Sequence, residues 1–295
     1  MRTTFQTLGP VDLRSTLAPL RHGISDPTIA MGPGGVALGL RTTRGPALLR
    51  LRAGDGSVEA TAWGPGSKDA LDAAPDLCGG SDDPPDTLGQ DPSVNELHRH
   101  NPGLRMCRTN DAMRTLIPAV LEQKVTTDEA HLAYSQLVRR YSEPAPGPGK
   151  IYLPPDPAVL AALPYYAFHR LGVERRRADT IRSVATRAAS IGRLSASARA
   201  GDVLRSLTGV GPWTTALVMQ AAFGDPDAVL LGDYHVPNIV GWYFEGTQRS
   251  NDGRMMELLQ PFQGQRARVQ RLIVGSGVRP SARGSKRPLR SIATI

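Results

Sequence analysis

Residues 207–215 read Leu207-Thr208-Gly209-Val210-Gly211-Pro212-Trp213-Thr214-Thr215, and this stretch is the strongest fold signal in the chain. Gly209 and Gly211 have no Cβ and can adopt positive φ, so the chain can turn tightly there and another backbone can approach closely. Pro212 suits the first position of a helix, where its missing N–H is not needed. The following N–H groups then point out of a helix N-terminus, which favours a bound phosphate. The stretch therefore predicts a helix, an anion-binding hairpin and a second helix.

A single carboxylate follows the hairpin at about the distance of one helix. Asp233 lies eighteen residues after Thr215, within the apolar segment 230–235. The Gly-Val-Gly-Pro hairpin together with this aspartate resembles the helix-hairpin-helix DNA glycosylases, and most of all their alkylbase (3-methyladenine) branch. The resemblance covers roughly residues 111–275 and, more weakly, the N-terminal hundred residues.

The resemblance implies a monofunctional DNA glycosylase of base excision repair, which hydrolyses the N-glycosidic bond of a damaged, alkylated base without a metal or cofactor. Asp233 is then the catalytic residue. An ionised carboxylate beside C1′ stabilises an oxocarbenium-like transition state and orients or deprotonates the attacking water. Taken without the hairpin, Asp233 would instead be interpreted as the N-cap of the next helix.

The resemblance also assigns residues to the DNA interface and to the pocket for the excised base. The residues expected to contact DNA are Gly209, Val210, Gly211, Thr214, Gln123, Lys124 and Val125. The residues expected to line the base pocket are Trp213, Leu217 and Tyr234. Lys124 or Val125 would fill the gap that a flipped base leaves in the duplex. Other interpretations stay open: the hairpin as a packing corner, Trp213 as a core residue, and loop 122–127 as an ordinary helix–helix turn.

Trp213 separates two mechanisms within the superfamily. In the bifunctional glycosylase/lyases the matching position holds a lysine that forms a Schiff base with the sugar. Here it holds tryptophan, and no lysine occurs between Lys150 and Lys286. A lyase that depends on a lysine near Asp233 is therefore not expected.

The supply of aromatic side chains departs from the alkylbase pattern. Relatives that excise methylated purines stack the cationic base on several aromatic faces. Leu217 stands where a tyrosine would match, and the C-terminal helix offers no tryptophan among Arg268, Val269 and Leu272. Other aromatic candidates, apart from Tyr234, lie at 165–168, a segment that can equally be core.

Composition favours a polyanionic partner. The 295 residues carry 35 Lys and Arg against 27 Asp and Glu, a net charge of +8. This balance is consistent with nucleic-acid binding, although an arginine-rich composition can also reflect GC-rich DNA. Double-stranded DNA with a damaged base is the expected partner.

Two cysteines, Cys78 and Cys107, argue for a reducing compartment and against a disulfide framework. Two thiolates are also too few for a four-cysteine iron–sulfur cluster. Neither a signal peptide nor a membrane span is recognisable. We expect a monomer located in the cytoplasm, associated with the nucleoid if the source is bacterial, with no membrane partner.

The chain divides into three parts with an α+β fold class overall. Residues 1–95 are predicted as a small α/β domain that resembles half of a TATA-binding-protein-like sheet, with an acidic linker at 79–94. Residues 96–275 are predicted as the all-α helix-hairpin-helix glycosylase domain. Residues 276–295 are a basic tail with five cations and no acid, whose order the sequence leaves open.

Local patterns place the elements within these parts. Alternating apolar residues between Gly-rich turns predict strands at Val36–Thr42, Ala47–Arg52 and Ser57–Trp63. Helical spacing and Pro212 predict a helix over Pro212–Phe223. His98 and His100 have no third ligand at metal-site spacing, and we interpret their segment as a solvated loop.

Two other functions remain in competition with the glycosylase. A non-catalytic helix-hairpin-helix DNA-binding protein would share the hairpin but would not need Asp233. A basic helical protein-interaction module would not need either feature, and it would not bind duplex DNA at low salt.

Overall fold

The computed structural model describes residues 1–194 and 198–281. The basic tail predicted at 276–295 lies, from residue 282 onward, outside the described residues.

The N-terminal region forms a five-stranded antiparallel sheet with the strand order β1-β5-β4-β3-β2. The strands are β1 Arg2–Gln6, β2 Ile29–Gly32, β3 Gly35–Thr42, β4 Gly45–Ala53 and β5 Ser57–Trp63. The three predicted strands correspond to β3, β4 and β5, so the α+β character is confirmed. Both edge strands were missed, because β1 is short and mostly exposed and β2 has only four residues.

Helices make up most of the rest of the described chain. In chain order, the α-helices are α1 Leu13–Leu17, α2 Ser67–Leu77, α3 Pro92–His100, α4 Ala112–Leu121, α5 Thr127–Tyr141, α6 Pro157–Ala162, α7 Tyr165–His169, α8 Arg175–Thr186, α9 Ala188–Ile191, α10 Ala198–Arg205, α11 Pro212–Phe223, α12 Val236–Glu245, α13 Asp252–Leu259 and α14 Arg266–Gly275. Short 3-10 helices lie at Ala18–Leu20 and Gln260–Phe262.

One face of the sheet is covered by α1 and α2. The alternation along β3, β4 and β5 directs apolar side chains to this face, as a half-buried strand requires. Val36, Leu38, Leu49, Leu51 and Val58 are completely buried there. This small core forms the N-terminal part of the molecule.

The centre of the molecule is the antiparallel pair α4 and α11. At one end of the pair, the backbone N–H of Asn110 donates to the carbonyl of Ala222 (2.9 Å). At the other end, the side chain of Gln123 contacts Thr214. Leu116, Val120 and Val218 are fully buried between the two helices and their neighbours. The pair holds the hairpin before α11 next to the loop after α4.

The third core is formed by α12, α13 and α14 together with α3. Leu88 and Val94 are buried in this core with Val240 and Leu272. The predicted boundary between residues 95 and 96 falls within α3 and is therefore corrected. The boundary was misplaced because acidic and Gly/Pro-rich residues concealed a helix that begins at Pro92.

Two further expectations about residues 79–100 are corrected. The acidic linker includes Asp82, which pairs with the fully buried Arg268 of α14 (2.5 Å) and is therefore part of the fold. His98 and His100 lie in α3 and not in a loop, and Nε2 of His98 contacts the carbonyl of Pro85 (2.9 Å).

Neither cysteine of the described chain is in a disulfide, and both are buried. Burial raises the pKa of the Cys78 thiol to about 12 and also raises the pKa of Cys107. Within residues 1–194 and 198–281 no helix has the length and apolar character to cross a bilayer. The same residues contain no group of three or more His, Cys, Asp or Glu side chains arranged to hold a metal ion.

Candidate active site

Both hairpin glycines can adopt positive φ, but only Gly209 does so. Gly209 has φ +84°, and a Cβ there would lie 2.2 Å from Oγ1 of Thr180 on α8. Gly211 has φ −94° and ψ −177°, an extended conformation that any residue adopts, and a Cβ there would contact nothing within 4 Å. The fold therefore requires glycine at 209, whereas the space beside Gly211 is open to a partner.

The loop between α4 and α5 is attached directly to the hairpin. Nε2 of Gln123 donates to the carbonyl of Gly209 and to Oγ1 of Thr214, both at 2.9 Å. The amide group of Gln123 is therefore used within the protein and fixes the loop to the hairpin. Thr214 is only 1% exposed and Val210 only 5%. Their side chains are in the interior, and the backbone N–H of Val210 donates to the carbonyl of Leu207 (3.0 Å). The DNA contacts expected of Val210 and Thr214 stay a prediction.

Asp233 is held by three N–H donors. Oδ1 accepts the backbone N–H of His235 (2.8 Å) and of Val236 (2.9 Å), while Oδ2 accepts Nε1–H of Trp213 (2.9 Å). The N-cap interpretation and the catalytic interpretation are thus compatible. Oδ1 binds N–H groups at the start of α12, and Oδ2 faces α11, the helix that follows the hairpin (the hairpin helix). This geometry fixes the carboxylate beside the second residue of α11.

The turn before Asp233 depends on a residue that the sequence did not single out. Gly232 has φ +84°, and its N–H donates to Oδ2 of Asp252 (2.8 Å) at the start of α13. The other carboxylate oxygen of Asp252 is buried with no hydrogen-bond partner among the described residues. No local sequence signal connects Asp252 with this turn, because the contact joins Gly232, in the loop before α12, to a residue of α13.

The three predicted pocket residues differ in their surroundings. Trp213 and Leu217 are half-buried and lie one turn apart on α11, so they share a face of that helix. Tyr234 is 84% exposed and contacts His235 edge-on with ring centroids 4.9 Å apart. Phe168, one of the other aromatic candidates, is fully buried in the helical core, as the alternative interpretation of 165–168 states.

The two residues expected to enter the duplex lie in the loop after α4. Lys124 is exposed and has φ +58°, a left-handed conformation that is uncommon outside glycine. Val125 is half-buried next to it. Two positions before Lys124, Glu122 bonds to His22 of the N-terminal region, a partner that sequence reasoning missed.

No protein-family model matches the chain. Over 152 residues the chain is 32% identical to a Mycobacterium tuberculosis protein named as a bifunctional transcriptional activator/DNA repair enzyme, AlkA. The match covers 50% of this chain and 30% of that protein. Over 160 residues it is 22% identical to the Bacillus subtilis protein YfjP, named as a DNA-3-methyladenine glycosylase, with 52% and 54% of the two chains covered. The match thus spans about a third of the length of the Mycobacterium tuberculosis protein and about half of the length of YfjP.

Two solved structures resemble the fold over nearly its whole length. The 3-methyladenine DNA-glycosylase of Archaeoglobus fulgidus matches with a TM-score of 0.74 and 14% identity, over 92% of this chain and 97% of that one. The 8-oxoguanine glycosylase/lyase of Clostridium acetobutylicum matches with a TM-score of 0.70 and 11% identity, over 92% and 95% of the chains. At these identities the likeness concerns the fold. The two comparisons agree: over about half of its length the chain is similar in sequence to proteins named as a DNA repair enzyme and a DNA-3-methyladenine glycosylase, and its fold resembles that of solved DNA glycosylases.

Proposed function

We propose that this protein is a monofunctional DNA glycosylase of base excision repair, which hydrolyses the N-glycosidic bond of an alkylated base. The observation that carries the proposal is the Asp233 carboxylate, fixed by Trp213 at the start of the helix that follows the hairpin. The names of the sequence relatives, a DNA repair enzyme and a DNA-3-methyladenine glycosylase, support the same reaction.

The chemistry follows from the donors around Asp233. An ionised carboxylate only accepts hydrogen bonds and has about four lone-pair sites. Three are used by His235, Val236 and Trp213, so Oδ2 keeps one for a water molecule. The negative charge stabilises positive charge that develops on the sugar as the base leaves, and the water bound at Oδ2 is oriented for attack at C1′.

The expected partner is duplex DNA with a damaged base. Backbone N–H groups at Gly211 and at the start of α11 bind a phosphate, which positions the duplex without reading its sequence. The net charge of +8 favours the same partner. Trp213 and Leu217 form the wall of the base pocket, and Tyr234 reaches the base once DNA is bound.

A lyase reaction is not part of the proposal. Schiff-base chemistry needs an amine, and the position after the hairpin holds Trp213. The four lysines of the chain are Lys68, Lys124, Lys150 and Lys286. Among the three lysines in residues 1–194 and 198–281, Lys124 belongs to a loop that contacts the hairpin, through its neighbour Gln123.

The proposal extends to the finer architecture. We infer that the sheet with α1 and α2 corresponds to the TATA-binding-protein-like half-domain of the alkylbase branch. The monomeric state and the cytoplasmic location remain predictions.

The decisive experiment offers the protein a set of duplexes, each with one defined lesion: 7-methylguanine, 1,N6-ethenoadenine, hypoxanthine, 8-oxoguanine or uracil. Abasic sites are then revealed with hot alkali. Excision of an alkylated base by the wild-type protein, absent with Asp233→Asn, is the expected result. Duplex binding without any excision would favour the non-catalytic DNA-binding protein. Absence of duplex binding at low salt would favour the protein-interaction module.

A further inference from the structure

The loop that carries Lys124 is attached to the N-terminal region by a hydrogen bond between two largely buried side chains. Nδ1–H of His22 donates to Oε1 of Glu122 (2.9 Å), and Nε2 of His131 lies 3.8 Å from the same oxygen. The side chains of His22 and Glu122 are only 10% and 21% exposed. His22 follows the first 3-10 helix and lies 100 positions before Glu122 in sequence, so this contact joins two distant parts of the chain. We call His22, Glu122 and His131 the Glu122 latch.

His22 is itself rigidly held. Its backbone N–H donates to Oδ2 of Asp26 (2.8 Å), and its ring meets Tyr134 edge-on with centroids 5.2 Å apart. The next residue, Gly23, has φ +85°, and a Cβ there would lie 2.8 Å from the ring of His131. The loop after the 3-10 helix therefore packs tightly on α5, and Glu122 is bonded to a fixed point.

Two neighbouring residues of the loop, Glu122 and Gln123, are anchored to different parts of the protein. Gln123 bonds to the hairpin at Gly209 and Thr214, while Glu122 bonds to His22. Lys124 follows immediately with φ +58°. A residue with a side chain adopts this conformation when its surroundings fix it. Two anchors directly before Lys124 provide such a restraint.

We propose that the Glu122 latch positions Lys124 and Val125 for insertion into the duplex, so that the N-terminal region takes part in lesion recognition. The inference rests on the proposed function. His22 and Glu122 are positioning residues, since they act through the loop and do not touch the reacting atoms. Loss of the latch removes the anchor to the N-terminal region, while the Gln123 side chain stays bonded to the hairpin. Lys124 then samples other conformations. Binding that depends on insertion weakens, whereas binding through the hairpin phosphate site does not.

The test compares His22→Leu, which removes the donor, with His22→Asn, whose amide nitrogen keeps a donor near the position of Nδ1. Glu122→Ala removes the acceptor. Glu143→Ala is the matched control, because Glu143 pairs with Arg41 (2.8 Å) away from the loop. The probes are an undamaged duplex and a duplex with a tetrahydrofuran abasic analogue beside 2-aminopurine, whose fluorescence reports unstacking.

We expect His22→Leu and Glu122→Ala to reduce the preference for the abasic duplex about tenfold, as loss of one charge-assisted hydrogen bond allows. The 2-aminopurine response should fall with it. Affinity for the undamaged duplex and its salt dependence should not change, and His22→Asn and Glu143→Ala should behave like the wild-type protein. Melting curves identify a variant that does not fold. If His22→Leu does not fold, the test rests on Glu122→Ala, because Glu122 is the less buried of the two side chains.

An unchanged abasic preference and an unchanged 2-aminopurine response in Glu122→Ala would overturn the positioning role of the latch and leave the proposed function standing. Equal weakening on both duplexes would assign the His22–Glu122 hydrogen bond a purely structural role and would also overturn the proposed role of the latch. A wild-type protein that binds both duplexes equally and excises no base would overturn the proposed function and, with it, this inference.

Discussion

The indole N–H of Trp213 donates to Oδ2 of Asp233 across 2.9 Å, which joins the hairpin helix to the loop that carries the proposed catalytic carboxylate. The resemblance to the bifunctional glycosylase/lyases places their reactive lysine at the position matching Trp213. In this chain the position holds a hydrogen-bond donor that cannot attack the sugar but can orient the aspartate. We therefore propose that Trp213 is a positioning residue for the Asp233 carboxylate.

Asp233→Asn should abolish base excision and preserve duplex binding. The amide still accepts the N–H groups at the start of α12, so the helix remains, but the negative charge that stabilises the sugar cation is lost. We expect excision to slow by about a thousandfold or more, the range of a lost charge-stabilising group in an active site. Single-turnover excision measured beside a binding titration checks this. Near wild-type excision by the variant would remove Asp233 from the mechanism.

Trp213→Phe should lower the excision rate more than it changes substrate binding. Phenylalanine keeps an aromatic ring but has no N–H for Oδ2 of Asp233. A hydrogen bond to a charged group is worth about 1.5–3 kcal/mol, so we expect kcat to fall about 10- to 100-fold with little change in KM. Leu217→Ala is the matched control on the same face of α11, and it should act mainly on KM. A kcat unchanged by Trp213→Phe would limit Trp213 to packing.

Local pattern predicted the elements whose determinants lie close together in sequence. β5 at Ser57–Trp63 and α11 at Pro212–Phe223 have the predicted bounds, because strand alternation and an N-terminal proline are local signals. The hairpin and Asp233 were recognised for the same reason, since both lie within one short stretch.

Contacts between distant residues were not predictable in this way. Asp82 reads as part of an acidic linker, yet it pairs with Arg268, 186 positions later, inside the protein. Glu122 reads as a polar turn residue until His22 is seen beside it. A charged residue has the same sequence signature whether its partner is water or a buried side chain, so only the tertiary structure separates the two.

The two hairpin glycines should respond differently to substitution. A Cβ at Gly211 meets no protein atom within 4 Å, so the fold should persist in Gly211→Val while the branched side chain blocks the phosphate. Affinity should fall alike for all duplexes, and the slope of log K against log salt should become shallower by about 0.9 if one phosphate contact is lost. Gly209→Val, in contrast, should lower the melting temperature because its Cβ meets Thr180. If the affinity of Gly211→Val for duplex DNA is unchanged across salt concentrations, the hairpin is a packing corner and does not bind a phosphate.

Asp227 should make stability depend on acid pH. Burial alone would raise the pKa of Asp227, but hydrogen bonds from Arg266 and Gly264 outweigh it and lower that pKa. The folded state therefore favours the ionised carboxyl. The stabilisation is present above the ordinary pKa of about 3.9 and is lost as pH falls through the lowered value.

Asp227→Asn should accordingly reduce the free energy of unfolding by about 1–3 kcal/mol at neutral pH, with the difference from wild type shrinking below about pH 3.9. Urea unfolding across this range measures both quantities. Asp202→Asn is the control, because its pair with Arg205 is exposed and should contribute little at any pH. A difference that stays constant down to the acid end would contradict the assignment.

The protein should leave an intact abasic site and should not nick the strand. Attack by water yields a free base and a C1′ hydroxyl, a product that breaks only in hot alkali. Lys124 is the lysine to test, because its neighbour Gln123 bonds to Thr214, next to Trp213. With a duplex whose damaged base the protein excises, borohydride should trap no covalent protein–DNA band. Lys124→Ala should behave like the wild-type protein in that assay. A trapped band that disappears in Lys124→Ala would identify Lys124 as a nucleophile and would replace the hydrolytic mechanism with a lyase.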